Sequence, residues 1–255
     1  MRKIHWIILF SALGFLVLIG SLYLYNLYNV PVLSNEEIIK LSEEAKEQRE
    51  NITRQTVFES FEFKKPNKNK NVYFGDLHVH SSLSFDSYIF GNRYGLDDTY
   101  KFAKGEPMLN MFGEQMQISR PLDFAAVTDH AETFGLEESC TDPEITEESK
   151  VTCAKLESPS YRFFFNLRET SVARPPVSIM STAIGDKEKE ERFIKSTWNK
   201  IKKAADNHNE PGKFTTFVAY EYSPTLPDGG YNHRNVIFKN NTVPEKAFSL
   251  FDAHT

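Results

Sequence analysis

The sequence predicts an α/β fold with parallel strands, preceded by one transmembrane helix, and three observations carry that expectation. An uncharged run from Trp6 to about Tyr28 has the length that a membrane-spanning helix requires. From Asn71 onward, strand-like and helix-like segments alternate, as in a sheet joined by helical crossovers. Three compact runs then break off in His, Asp or Glu, the residue types that bind metals or carry catalysis. With 255 residues and 40% hydrophobic content, the chain can bury a sizeable core, and its length allows one or two domains. The 30 basic and 35 acidic residues leave a formal charge of -5, and the basic ones are dispersed except between Lys64 and Lys70, so no nucleic-acid surface is indicated.

Residues 1–5 form a short tail in which Arg2 and Lys3 precede the apolar run. Positive charge before a span argues for a cytoplasmic N-terminus and an extracytoplasmic body, periplasmic or extracellular. A cleaved signal peptide is the competing reading. Its apolar core would be shorter and end at a small-x-small site, whereas this run over 6–28 continues through Leu22-Tyr23-Leu24-Tyr25 and favours an uncleaved anchor. Residues 29–70 read as a helical stalk and linker: Ser34-Asn35-Glu36-Glu37 has the spacing of a capping box, and Ile38, Leu41 and Ala45 follow at helical intervals. Asn51-Ile52-Thr53 and Asn240-Asn241-Thr242 match glycosylation sequons, which have meaning in a eukaryotic secretory host.

Residues 71–255 make the body. A strand ends at His80, a helical patch follows over Leu96 to Ala103, and Leu122 to Thr128 is a continuous apolar run that suits a strand buried on both faces. An insertion carrying Cys140 and Cys153 leads to an aromatic segment, Tyr161 to Leu167. Asp186 caps an amphipathic helix in which Phe193, Trp198, Ile201 and Ala205 share a face, and Pro211-Gly212 ends it. The next strand is Phe214 to Tyr220, ending in Glu221; a Gly-rich loop at Asp228-Gly229-Gly230 leads to His233 and a last β run, Asn235 to Phe238.

His78 and His80 alternate along their strand, so both imidazoles point to one side, about 7 Å apart at the root. Alone they are equally well read as two solvated histidines. Asp129-His130 alone would be a helix cap beside a surface histidine, and Glu221 alone a solvated strand end. Parallel strands, however, deliver their C-terminal ends to one crevice. Three such ends bearing His78 with His80, then His130, then Glu221, with Asp86 close behind the first, point to a metal site.

The wording Asp76-Leu77-His78-Val79-His80-Ser81-Ser82 followed by Asp86, then Val127-Thr128-Asp129-His130, resembles the first two motifs of the PHP superfamily of phosphoesterases. Tyr73-Phe74-Gly75-Asp76-Leu77-His78, Phe217-Val218-Ala219-Tyr220-Glu221-Tyr222 and His233-Arg234-Asn235-Val236-Ile237-Phe238 are similar to the group called domain of unknown function 3604. The resemblance implies a PHP-like distorted β/α barrel whose mouth holds two or three divalent ions. It further implies that His78 and His80 bind one metal, that Asp86 and His130 are ligands from the first and second motifs, that Glu221 bridges, and that His233 is an additional ligand. Glu221 and Asp86 are thereby the candidate catalytic carboxylates. Asp76 and Asp129 are expected to orient imidazoles by accepting N–H bonds. The family pattern has further ligands on later strands, so the chain reads as an N-terminal piece with about four barrel strands, and His254 as a chance terminal residue.

The implied function is membrane-anchored, metal-dependent hydrolysis, with a small phosphoester as leading substrate and metal-activated water as attacking group. Mixed His and carboxylate ligation suits zinc, manganese or iron better than calcium. The alternative is a catalytically inactive, membrane-tethered binding or scaffold protein on the same fold. An extracytoplasmic body is an oxidising setting in which Cys140 and Cys153 can close a disulfide loop; the rival role, zinc binding through two thiolates, lacks Cys-x-x-Cys spacing.

Overall fold

The computed structural model describes residues 71–252 apart from 111, 158–159, 174–175, 179–185 and 227–229, together with 14, 16–25, 28, 40 and 43. The expected stalk and linker over 29–70 thus lie outside the described residues except at Lys40 and Glu43, as do the sequon at Asn51, the loop residues Asp228 and Gly229, and His254. Residues 16–25 are helical, and Leu16, Val17, Leu18, Ile19, Leu22 and Leu24 on them are exposed. Among the described residues, no helix is long and apolar enough to cross a membrane.

The body is a mixed α/β structure. In chain order it contains β1 (Gly75–Val79), α1 (Phe85–Ile89), α2 (Leu96–Ala103), β2 (Met108–Leu109), β3 (Gln115–Met116), β4 (Phe124–Val127) and a 3-10 turn (Ala131–Thr133). After these come α3 (Leu136–Thr141), α4 (Glu147–Glu157), α5 (Tyr161–Val172), α6 (Lys187–His208), β5 (Thr215–Thr216), β6 (Ala219–Tyr222) and β7 (Arg234–Ile237). The central sheet has the order β1-β4-β5, and both pairings are parallel, with Asp76 opposite Ala125 and Phe124 opposite Thr215. Two antiparallel pairs, β2-β3 and β6-β7, complete the strand inventory, and among the described residues the strands do not close into a barrel.

The strand expected over Phe214–Tyr220 is interrupted. Its first part is β5, and its second part, β6, pairs antiparallel with β7, placing Glu221 opposite Asn235. The run nevertheless keeps one register along β4 and its extension: the N–H groups of Thr215, Phe217 and Glu221 donate to the carbonyls of Asp123, Ala125 and Asp129. The expectation of a continuous strand therefore fails over Phe217-Val218, where β5 ends and β6 has yet to begin, while the path past β4 holds.

The continuous apolar wording of β4 reflects burial on both faces: Ala125, Ala126 and Val127 are all buried. Ala125 and Val127 join one core with Tyr100 and Ala103 of α2 and Trp198, Ile201 and Ala205 of α6. Each large side chain so buried stabilises the fold by roughly 1.5–3 kcal/mol. Trp198 is fully buried, and its indole N–H donates to the Pro244 carbonyl at 2.8 Å, so its polar atom is satisfied. Asp186 caps α6 as its position before the apolar periodicity predicts, accepting from the N–H groups of Glu188 and Lys189. The Cys140–Cys153 disulfide ties α3 to α4.

Gly135 begins α3 with φ +88°, and a Cβ there would lie 2.8 Å from Phe193 Cβ and 2.9 Å from the Ile194 backbone nitrogen. Both the left-handed backbone and the contact with α6 require glycine. Gly135→Ala is expected to lower stability by on the order of 1–3 kcal/mol, seen as a lower urea midpoint with an unchanged slope. A wild-type midpoint would show that α3 does not sit this close to α6.

Candidate metal centre

The C-terminal end of the parallel sheet gathers the polar residues. His78 lies on β1 and His80 just beyond it; Asp86 sits in the first turn of α1; His130 follows β4. Glu221 on β6 is held beside His130 by a parallel bridge and by its N–H bond to the Asp129 carbonyl at 3.0 Å. The β6-β7 pairing brings His233, the residue before β7, back to the same place.

The imidazoles form a row. Ring centroids are 5.1 Å apart for His78 and His80, 4.9 Å for His80 and His130, and 5.1 Å for His130 and His233. Glu221, fully buried, lies against all of them: its Oε2 is 2.7 Å from His80 Nε2, 2.9 Å from His78 Nε2 and 3.9 Å from His130 Nε2, and its Oε1 accepts from His233 Nδ1. Asp86 lies 3.0 Å from His80 Nδ1 and 3.6 Å from His130 Nε2. Three overlapping groups result, His78-His80-Glu221, His80-Asp86-His130 and His130-Glu221-His233, in each of which the ligand atoms lie within 4.8 Å of one another. All six residues expected to bind metal are therefore brought together.

A polar scaffold fixes these positions. The Ser84 hydroxyl donates to Asp86 at 2.7 Å, the Ser87 N–H to the same carboxylate at 2.8 Å, and the His130 N–H to Ser84 Oγ at 3.2 Å. His130 Nδ1 is bonded to the Ser223 hydroxyl at 2.7 Å, leaving Nε2 to face Asp86 and Glu221. Asp129 is buried, and its carboxylate accepts from the Ser81 N–H and the Ser81 hydroxyl, both at 2.6 Å. Asp76 accepts from the His78 backbone N–H at 3.0 Å. The hydrogen bonds described for Asp76 and Asp129 thus go to backbone and hydroxyl, where imidazole partners were expected. Adjacent residues on an extended chain point to opposite sides, which turns Asp129 away from the face of His130; the short Asp76 side chain folds back on its own strand.

Burial and charge act in opposition here. Burial disfavours the charged form of His80, but its hydrogen bonds and proximity to Asp86 and Glu221 outweigh this and hold it up at about 10. His130 is raised in the same way, against burial, to about 9, by Asp86, Glu132 and Glu221. Burial would raise both carboxylates, yet the imidazoles bring Glu221 down to about 2 and hold Asp86 far below the usual carboxylate range. Asp129 is pushed the other way, up to about 6, by burial that its Ser81 bonds do not fully offset.

Four contributors escaped the sequence reading: Ser81, Ser84, Glu132 and Ser223. Ser223 lies two residues beyond Glu221, a spacing that shares one strand face, and this signal was available. Glu132 is half-buried near His130; its Oε1 accepts from the N–H groups of Ser223 and Leu250, and its Oε2 lies 3.8 Å from His130 Nδ1. Nothing in the wording around Glu132 marks it.

Fold and site together define an α/β protein carrying four imidazoles and two carboxylates in an arrangement that could hold divalent ions. The chain belongs to the DUF3604 family, described as a protein of unknown function, whose match covers residues 67–255. No curated protein and no solved structure matches it.

The protonation states set a pH window. Below 6.5, the ordinary histidine value, His80 contributes its full stabilisation, which is lost as pH rises toward about 10. Glu221 contributes above 4.5, its ordinary value, and less as pH falls toward about 2. In chelator, the melting temperature is expected to peak between pH 4.5 and 6.5. Added Zn2+ or Mn2+ should extend stability upward in pH, with protons released on binding, measurable by calorimetry in buffers of different ionisation enthalpy. Binding without proton release would contradict the use of His80 and His130 as ligands.

The Asp129–Ser81 pair yields a second outcome. Asp129→Asn keeps an acceptor for the Ser81 N–H and should fold with near-native stability, whereas Asp129→Ala should cost about 1–3 kcal/mol by stranding that buried donor. Equal melting temperatures for the two variants would show that the bond is not holding the sheet end.

Proposed function

We propose that the protein is a membrane-anchored, extracytoplasmic, metal-dependent hydrolase whose leading substrate class is a phosphoester. The observation that carries the reading is the overlap of three potential ligand groups on His80, His130 and Glu221. A cluster sharing ligands in this way suits two or three neighbouring ions. The donor set fits: imidazole nitrogens and carboxylate oxygens favour zinc, manganese or iron, and Ser223 supplies the outer hydrogen bond that typically orients a ligand histidine. The anchoring half of the proposal rests on Arg2 and Lys3 before the uncharged run and on the Cys140–Cys153 disulfide, which suits an oxidising compartment.

His78, His80 and Glu221 would hold one ion, His80, Asp86 and His130 another, and His130, Glu221 and His233 a third. A divalent ion bound there supplies Lewis acidity, polarising a substrate oxygen and lowering the pKa of water. The chain's residues position and screen. Buried Glu221 fixes the spacing of the imidazoles, Ser84 and Ser87 hold Asp86 in place, and His80 and His130 keep it ionised. The His78 and His233 side chains are 57% and 43% exposed, against 0% for Glu221, so substrate approaches past those two histidines.

The test is elemental analysis together with a phosphoesterase screen on protein loaded with Zn2+, Mn2+ or Fe2+. His80→Ala and Glu221→Gln are each expected to lose bound metal and to reduce hydrolysis by more than the ~10–100-fold typical of an outer-shell change. His208→Ala, which removes a surface contact to Asp97 on α2, should leave both unchanged. Full metal content in His80→Ala would overturn the ligand assignment. Metal binding with no turnover on any ester would favour the binding-protein alternative.

A further inference from the structure

Helix α4 is poorly equipped to hold itself in place. Among its described side chains, Leu156 is the one buried hydrophobic residue, while Val151, Ala154 and Lys155 face solvent. Besides Leu156, Ser149 is its other buried described residue, so this helix of 11 residues gains little of its position from apolar packing. Its covalent tie is Cys153, bridged to Cys140 on α3. Helix α3 is firmly seated: the Gly135 N–H donates to Thr197 Oγ1 of α6 at 2.9 Å, and the Thr197 hydroxyl donates to Glu138 at 2.8 Å. The disulfide thereby transmits the position of the core helix α6 to α4.

At its far end, α4 presents Glu157, whose carboxylate accepts from the Tyr88 hydroxyl. Tyr88 belongs to α1, two residues from Asp86, and α1 has no buried residue of its own. Arg93 completes the clamp, its guanidinium 3.6 Å above the Tyr88 ring and donating to the Tyr88 carbonyl at 2.6 Å. The helix that carries Asp86 is thus held by polar ties at both ends, Ser84 at one and the Tyr88-Glu157-Arg93 cluster at the other.

We infer that Tyr88 and Glu157 are positioning residues for Asp86, and that the Cys140–Cys153 bridge keeps Glu157 where Tyr88 can reach it. The inference deepens the metal-centre reading and rests on it: Asp86 would bind its ion tightly only while α1 is pinned to α4. Neither Tyr88 nor Glu157 is in a potential ligand group, so each acts through Asp86.

The experiment is a Mn2+ titration of the full chain, with Asp86→Asn defining which binding step uses Asp86. Tyr88→Phe, Glu157→Ala and the Cys140→Ser/Cys153→Ser pair are each expected to weaken that step about 10-fold, the lower end for outer-shell changes, and to leave the other steps at wild-type affinity. Glu157→Gln, which keeps a hydrogen-bond acceptor, should restore the step. Combining Tyr88→Phe with the cysteine pair should weaken it no further than either alone, because both cut one chain of contacts. Wild-type affinity in all three, or equal weakening of every step, overturns the positioning role while leaving the metal centre intact. Absence of Mn2+ binding by the wild-type chain would overturn the metal-centre reading and this inference with it.

Discussion

A fully buried carboxylate sets the terms for the rest of this molecule. Glu221 has no solvent exposure, and an ionised group in that position is tolerable only with charged or hydrogen-bonding partners around it. Four histidines and the strand path that delivers them satisfy that demand, with Oε2 serving His78 and His80 and Oε1 serving His233. The carboxylate in turn explains why four imidazoles on three different segments lie at nearly equal spacing. Remove the charge and the imidazoles lose the group on which they converge.

The sheet makes this convergence inexpensive. Strand β4 is buried on both faces and carries neighbours on both edges, so its extension through Thr128, Asp129 and His130 inherits a fixed direction. Thr128 Oγ1 accepts from the Val79 N–H at 3.1 Å, and Asp129 grips Ser81, so the segment after β1 is tied to the segment after β4 at consecutive positions. Buried polar networks of this kind specify one arrangement when every member is satisfied. The arrangement of the candidate site thus rests on hydrogen bonds one layer below it.

The two faces of the body differ in how they are held. Toward α2 and α6 the sheet packs through aromatic and aliphatic side chains, with Trp198 at the centre between Phe134 and Tyr220. Toward the site, α1 and α4 contribute almost no buried apolar surface, and their placement depends on a disulfide, an arginine stacked on a tyrosine, and side-chain hydrogen bonds. Such polar attachments leave local opening less costly than opening of the core. Strand β1 and the residues leading into it from Val72 are also largely exposed, so the first two histidines are carried by the less covered edge of the sheet.

Local pattern was enough to locate the strands ending near His80 and Asp129, the helix after Asp186, and five of the residues that meet at the candidate site, His233 coming from the family resemblance. Alternation, apolar runs and capping residues are properties of neighbouring positions and survive in a linear reading. The pairing of Glu221 with Asn235, the break after β5, and the Ser81 and Ser223 contacts are set by residues distant in sequence, for which no short pattern exists. The same holds for the partners of Asp76 and Asp129, because which acceptor a short carboxylate finds is decided by backbone geometry across strands. Sequence by itself determined which side chains could hold a metal and that most of them sit beside strand ends; tertiary structure alone decided their distances and protonation, since both depend on burial and on charges brought together from across the chain.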